Sequence, residues 1–302
     1  MTRSADVLAE QFAEQRSHLL GVAYRLCGSF ADAEDAVQEA WLRLSRVDAS
    51  EIRDLRAWLT TVVARICLDS LRSAASRRER YVGPWLPEPV VTPVAADDPL
   101  EQVVRDDGVR MAAMVVLDNL TPEQRVAFVL HDAFSVPYSE IAETLQCSEV
   151  AARQHASRGR RAAAEADPPP RAAMAEQRSL LERFLAAFLA GDTAGVVALL
   201  HPDAVLVGDS DGKARTATRE MVGADKIARF LFGLFDRYGT EKAHAGTFVL
   251  VNGDLGIAMP ELPGDDETWP LSRRVTGFVI EHGRIVRIYD VVNPDKLTRA
   301  WW

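Results

Sequence analysis

The residues best equipped to recognise another molecule lie between Ser148 and Arg161, where four arginines stand against a single acid. Arginine can grip guanine, and glutamine adenine, through paired hydrogen bonds, each such contact contributing about 1–3 kcal/mol of discrimination between bases. Arg153, Gln154, His155, Ser157 and Arg158 fall in one helical pattern there. A second set has the opposite sign, with four acids and no base from Asp32 to Glu39. Asp32, Asp35 and Glu39 recur at helical spacing with Gln38 beside them, a row that suits either a solvated face or the docking of a basic partner. A third set, Thr61, Arg65, Asp69 and Arg72, also lies on one helical stripe. Arginine so placed can hold phosphates while polar or aromatic neighbours receive unstacked bases, although composition alone equally suits an ordinary surface face.

Helices must position all three sets. Leu26, Phe30, Ala33, Val37, Ala40 or Trp41, and Leu44 recur every three or four residues as one buried stripe, and Gly28-Ser29 followed by Asp32 reads as one helix ending and the next being capped. Arg56 to Arg72 reads as a second amphipathic helix, with Leu55, Trp58 or Leu59, Val62 and Ile66 inward. Thr121, Pro122 and Gln124 supply an N-cap, a first-turn proline and a capping-box partner. Tyr138 to Leu145 is a short helix with Ile141 and Leu145 inward and the small Ala142 at a point of close approach. After the turn Gln146-Cys147-Ser148 a third helix carries the arginines, which is the geometry that places a helix in the major groove. A plain helical hairpin with a basic outer face fits the same pattern, and a helix-turn-helix alone does not separate one class of DNA-binding protein from another.

The chain has 302 residues, 48% of them hydrophobic, enough for sizeable cores in two or three domains. Its net charge of −9 excludes a protein that coats DNA nonspecifically, because that mode rests on basic surface, but does not exclude site-specific binding. With no apolar run of membrane-spanning length and no signal-peptide pattern at the start, a cytoplasmic location is expected. Cys27, Cys67 and Cys147 are odd in number and far apart, so they are expected to be core thiols, and neither a metal nor a cofactor is expected.

A helix-hostile run from Gly83 to Pro99 reads as a linker, helical patterning resumes from about Leu100 to Ala164, and Asp167 with prolines 168–170 ends it. Beyond lie helical stretches at 175–190, 193–200 and 224–238 and strand-like runs at 204–209, 247–252, 275–280 and 285–291. The expected fold is therefore multidomain: two all-α domains at 7–80 and 109–166, the second with a helix-turn-helix, linkers at 81–108 and 167–174, and an α+β domain at 175–302.

The segments LLGVAYRLCGSFADAEDAVQEAWLRL and DLRAWLTTVVARICLDSLR, followed by LTPEQRVAFVLHDAFSVPYSEIAETLQCSEVAARQHASRGRRA, resemble the two DNA-reading domains of extracytoplasmic-function RNA polymerase sigma factors of the sigma-70 family. The resemblance implies that core RNA polymerase and promoter DNA are partners. It places Asp32, Asp35, Gln38 and Glu39 on the polymerase, Arg65, Asp69 and Arg72 at the −10 element, and Arg153, Gln154, His155, Ser157 and Arg158 at the −35 element. His155 and Gly159 depart from the basic or small helix-forming residues usual there, so the base preference does not transfer. A subgroup similar to the actinomycete J-type factors carries a SnoaL-like domain of the NTF2 cone fold. Trp85-Leu86-Pro87-Glu88-Pro89 matches its WLPEP, Asn293-Pro294-Asp295-Lys296-Leu297 matches its NPDKL, and Asp209-Ser210-Asp211-Gly212-Lys213 resembles its DGGGK in part, through Asp209, Gly212 and Lys213. These three motifs imply a regulatory contact, with no separate anti-sigma factor required. As generic sequence, WLPEP suits a stiff polyproline-type spacer and NPDKL a turn.

An enzyme is the competing reading of the last domain, since cone folds include cyclases and isomerases. His201, Asp203, Asp209, His244, Asp254 and Asp290 are its candidates, but no spacing among them defines an acid–base pair, and no catalytic residue is assigned. An unidentified small ligand in that domain stays open, as does a polymerase-independent helix-turn-helix regulator with a ligand-binding domain.

Overall fold

The computed structural model describes residues 2–48, 52–78, 81–94, 109–166 and 169–298, the side chains of 2–6 and 74–78 apart. The parts of the expected linkers at 95–108 and 167–168, the renewed helical pattern at 100–108, and the terminal residues 299–302 lie outside the described residues. The chain forms two compact units, one from Met1–Glu79 with Ala113–Pro168, the other from Arg80–Ala112 with Pro169–Trp302.

In the first unit α1 (Thr2–Cys27) ends at Gly28, whose φ of 70° is the left-handed turn that glycine adopts without a side-chain clash. Ser29 then caps α2 (Phe30–Leu44) by accepting from the Asp32 N–H at 3.2 Å. The expected stripe is buried: Leu26, Ala33, Ala40 and Leu44 are fully sealed, and Ala40 rather than Trp41 takes the inward position. In α3 (Leu55–Arg78) Leu59 and Val62 are buried, but Leu55, Trp58 and Ile66 are only half-buried. Val63, Cys67, Leu68 and Leu71 complete its core face, because α3 meets α1 and α2 on one side and the second segment's helices on the other.

The second segment holds α4 (Met111–Asp118), α5 (Pro122–Phe128) running into a π-turn at Val129–Ala133, α6 (Tyr138–Leu145) and α7 (Glu149–Ala166). Both halves of the capping box at Thr121 and Gln124 form. The turn after α6 takes Gln146 through φ 55°, and Ser148 caps α7 by accepting from the Ala151 N–H at 3.2 Å. Gly159 lies where α7 crosses α5: a Cβ there would stand 2.6 Å from the Phe128 Cβ. That crossing accounts for a glycine inside a helix. Cys27 and Cys67 are buried, but Cys147 is half-exposed, contrary to expectation, because it sits in the turn rather than on a helix's inner face.

The second unit is built on a seven-stranded sheet in the order β1-β4-β5-β6-β7-β2-β3. Its strands are β1 (Val91–Pro93), β2 (Leu200–Asp209), β3 (Met221–Val222), β4 (Thr247–Val251), β5 (Asp254–Met259), β6 (Arg274–Glu281) and β7 (Arg284–Val291). Every pairing is antiparallel except β2 with β7. Helices α8 (Met174–Leu189), α9 (Thr193–Leu199) and α10 (Ala224–Tyr238) join the sheet in one core that includes Leu181, Phe184, Ile227, Leu206, Leu255 and Ile288. A short α11 (Thr240–Ala243) follows α10. The sequence expectations miss β5, whose residues are buried on both faces and so show no alternation. The run read as a linker also behaves differently from a free spacer: Val91, Thr92 and Pro93 form an edge strand against Val251, Leu250 and Val249. An edge tolerates proline because one side of the strand needs no donors.

Candidate functional site

On α2 the side chains of Asp32, Asp35 and Gln38 are exposed opposite the buried Ala33, Ala36, Val37 and Ala40. Glu39, on the flank, accepts from Arg43 Nε at 2.9 Å. The row is a continuous acidic face.

Arg65, Asp69 and Arg72 are exposed on α3. Two of them are engaged within the unit: Arg65 donates to the Glu143 carbonyl at 3.2 Å, and Arg72 donates through Nε and a terminal nitrogen to one Glu123 oxygen at 3.2 and 3.0 Å. The same packing holds Arg125, which is 1% exposed. It ion-pairs with Asp118 and donates to the Arg25 carbonyl in the last turn of α1 at 2.8 Å. His18 packs edge-on against the Phe134 ring, over which Arg25 also lies. Arg56 donates to His18 Nδ1 at 3.1 Å, and the Thr60 hydroxyl, already donating to the Arg56 carbonyl, accepts a hydrogen bond from the Nε2–H at 3.0 Å. Burial first, then the charges of Arg56 and Arg25, lower the His18 pKa to about 4.

On α7, Gln154, Ser157 and Arg158 point to solvent. Arg153, also exposed, pairs with Glu149 at 3.1 Å and lies over the Tyr138 ring. His155 is half-buried, with its Nδ1 sealed from solvent, so it is the member of the set that does not share the open face. Arg160 is held by both oxygens of Asp132 at 2.9 and 3.0 Å.

The second unit gathers all three short motifs around Asp209, which is fully buried at the end of β2. Its carboxylate accepts from the Leu86 N–H at 2.6 Å, from the Tyr81 hydroxyl, and from Lys296 Nζ at 2.7 Å. Its carbonyl accepts from the N–H groups of Val292 and Asn293 at 2.8 and 3.0 Å. Lys296 also donates to the Leu86 carbonyl and sits 3.8 Å from the centre of the Trp85 ring, a cation–π contact. Asn293 donates to the Tyr81 oxygen at 2.7 Å and caps the short 3-10 turn Pro294–Lys296. Burial first, and then the hydrogen bond to Asp209, push the Tyr81 hydroxyl far above its ordinary pKa. Leu86, Pro87, Glu88 and Pro89 are all buried, and Leu297 is 1% exposed.

The glycine-poor loop joins the same clamp. Asp211 occupies the left-handed region at φ 49°, which aspartate adopts more readily than most residues, and so does the work of a glycine of DGGGK. Its carboxylate accepts from the Val82 N–H at 3.2 Å, and Lys213 bridges Asp211 and Asp295. The hydrogen bond from Lys213 holds the Asp211 carboxyl below the usual aspartate range.

Two further latches on the 81–112 segment carry no sequence signal beyond being polar. Asn252, fully buried, accepts from the Val90 N–H at 3.0 Å and donates to the Val109 carbonyl at 2.7 Å. Asp254 pairs with Arg110 at 2.8 Å and with Arg171 at 3.1 Å, while Gln177 ties it to the Leu255 N–H. Tyr81 belongs with these residues, its only advance sign being an aromatic just before WLPEP.

Of the six candidate catalytic groups, Asp290 lines the hollow inside the cone. His201, Asp203 and His244 are exposed, and Asp209 and Asp254 serve the latches.

An acidic helix face, a basic helix-turn-helix and a cone domain together define a sigma-70-type initiation factor with an appended module. Family models agree: Sigma-70 region 2 matches residues 12–77, Sigma-70 region 4 matches 110–162, and the SnoaL-like domain matches 181–288. The chain belongs to the extracytoplasmic-function RNA polymerase sigma factors. It is 51% identical to ECF RNA polymerase sigma factor SigJ of Mycobacterium tuberculosis (strain H37Rv) over 95% of this chain and 92% of that protein. It is 31% identical to the probable ECF sigma factor SigI of the same strain over 97% of this chain and 95% of that one. The crystal structure of Mycobacterium tuberculosis SigJ superposes with a TM-score of 0.82 at 49% identity, covering 96% of this chain and 98% of that chain. Sigma factors bind core RNA polymerase and promoter DNA. Among the described residues no helix is long and apolar enough to cross a membrane.

Proposed function

We propose that this sigma factor docks on core polymerase through Asp32, Asp35, Gln38 and Glu39. In this reading Arg65, Asp69 and Arg72 meet the −10 element, α7 reads the −35 element, and the cone governs initiation through its hold on residues 81–93 and 109–110. The convergence of WLPEP, the Asp209–Lys213 loop and NPDKL on one buried carboxylate carries the regulatory part. On α7 the reading rests on Arg153, Gln154, Ser157 and Arg158, with His155 supporting the helix from within. Arg65 and Arg72 must exchange Glu143 and Glu123 for DNA, so initiation requires the first unit to open. The cone is assigned no catalysis: Asp290 is bound by Arg274, Thr216 and Thr276, and among the described residues no second carboxylate or histidine lines the hollow with it. The chain acts in the cytoplasm, with its own cone in place of a separate anti-sigma factor.

The test is in vitro transcription with purified core polymerase, comparing the full chain with Asp35→Arg, a truncation after Ala166 and a deletion of 293–302. Core-dependent transcripts that vanish in Asp35→Arg and change in both shortened chains are expected. Sequence-specific DNA binding with no need for core would overturn the reading in favour of a free-standing helix-turn-helix regulator.

A further inference from the structure

The open face of α7 carries one side chain to which the function proposed above gives no role. Val150 stands in the first turn of the helix with 64% of its surface exposed, more than any other large apolar side chain among the described residues. Val150, Gln154, Ser157 and Arg161 are all exposed and follow one another at intervals of four, three and four, so they form a single line along α7. Ala152, Ala156 and Gly159 are buried on the opposite side, where α7 packs on α5 and α6. Local structure does not account for a valine in this place. It buries little surface, and an exposed β-branched residue is a poorer helix former than alanine. Its neighbours in the first turn are settled within the unit: Glu149 pairs with Arg153 at 3.1 Å, and Arg153 lies over the Tyr138 ring. The start of α7 therefore presents an apolar tip beside the amide of Gln154, with the one nearby acid neutralised.

A recognition helix reaches the base edges of the major groove with its N-terminal residues. Those edges offer hydrogen-bonding groups from every base and a single methyl group, the 5-methyl of thymine. Cytosine in the same place lacks the methyl and offers an amino donor, which a valine cannot accept. In a helix the valine side chain is held largely in one rotamer, so its two methyl groups are placed before binding and little freedom is lost on contact.

We propose, resting on α7 as the reader of the −35 element, that Val150 packs against the 5-methyl group of one thymine in that element and so selects thymine over cytosine there. Arg158 lies eight residues further along the helix, about 12 Å at the usual rise, and meets a different base pair.

The test uses holoenzyme assembled from the full chain and core polymerase, on a promoter that it transcribes, with the −35 element randomised and the productive sequences selected. One selected position is expected to hold thymine. Deoxyuridine there, which removes only the methyl group, should lower open-complex formation about fourfold, the contribution of one buried group of that size. Val150→Ala, a change that favours the helix, should erase the difference between thymine and uracil and leave the other selected positions as they were. Arg158→Ala should alter another position and keep that difference. No position at which uracil impairs the wild type, or a difference that persists in Val150→Ala, would overturn the proposal. So would Val150→Ala impairing the uracil template as much as the thymine template, as loss of a contact with polymerase would. Any of these results with Arg158→Ala still altering the selected element leaves α7 as its reader, whereas an element that neither Arg158→Ala nor Val150→Ala alters removes α7 from the −35 element as well.

Discussion

Replacing Lys296 by methionine preserves most of the side chain's bulk and removes the only cation paired with Asp209 among the described residues. Asp209 is 0% exposed and the Lys296 side chain 11%. Removing one partner of a buried pair typically costs about 3–5 kcal/mol, because the other charge stays desolvated. Here the carboxylate keeps the Leu86 N–H and the Tyr81 hydroxyl, and the linker can lift away and let water in. The lower end, about 3 kcal/mol, is therefore expected, and it should appear as linker release rather than unfolding. At about 1.4 kcal/mol per decade that is a roughly hundredfold change in the opening equilibrium. Hydrogen exchange reads it directly: the Leu86 amide should exchange roughly a hundredfold faster in Lys296→Met. The Leu255 amide, held by Gln177 away from the clamp, should change less than about twofold. Asp209→Asn combined with Lys296→Met should recover more than half the protection, since no unpaired charge remains. Leu86 exchange within about threefold of wild type, or Leu255 accelerating as much as Leu86, would refute the reasoning.

Gly159→Ala would ordinarily gain helix propensity, by about 1 kcal/mol. Against Phe128 at 2.6 Å the overpacking cost of about 1–3 kcal/mol wins, so a lower urea midpoint is expected. Arg125→Met should destabilise the first unit by about 3–5 kcal/mol, measured in the same titration, because it removes the cation that pairs with the buried Asp118. Glu123→Ala, at the exposed end of the same packing, should cost no more than about 1 kcal/mol. His18 has a folded pKa of about 4 against 6.5 unfolded, so between those values the unfolded chain binds more protons. Stability should accordingly fall as pH drops from 6.5 toward 4, and His18→Gln should flatten that part of a pH series of urea midpoints.

What the sequence made legible were features written in adjacent residues. Gly28-Ser29, the Thr121–Gln124 capping box and Ser148 each satisfy backbone groups within three or four positions, so their residue types suffice to place them. The acidic row on α2 follows from helical spacing in the same way. Contacts between distant segments leave no such trace. Nothing near Tyr81 announces Asp209, 128 positions on, and Asn252 reads as a plain turn residue although it fastens both Val90 and Val109. The proline-rich run read as a spacer because proline opposes helices, yet prolines beside an edge strand serve equally well once β4 offers pairing. His155 shares the helical stretch and the family position of the expected DNA-facing residues, while its burial depends on how α7 lies on the rest of the unit.

The parallel pairing of β2 with β7 has a bearing on the order of events during synthesis. β7 comes last in chain order among the seven described strands, yet it lies between β6 and β2, and Lys296 follows it. The first unit, by contrast, is complete once Pro168 has left the ribosome. At about 5–20 residues per second, the intervening residues 169–296 take on the order of 6–25 seconds to appear. Each new molecule thus passes through an interval in which its promoter-reading helices exist and its linker has nothing to hold it.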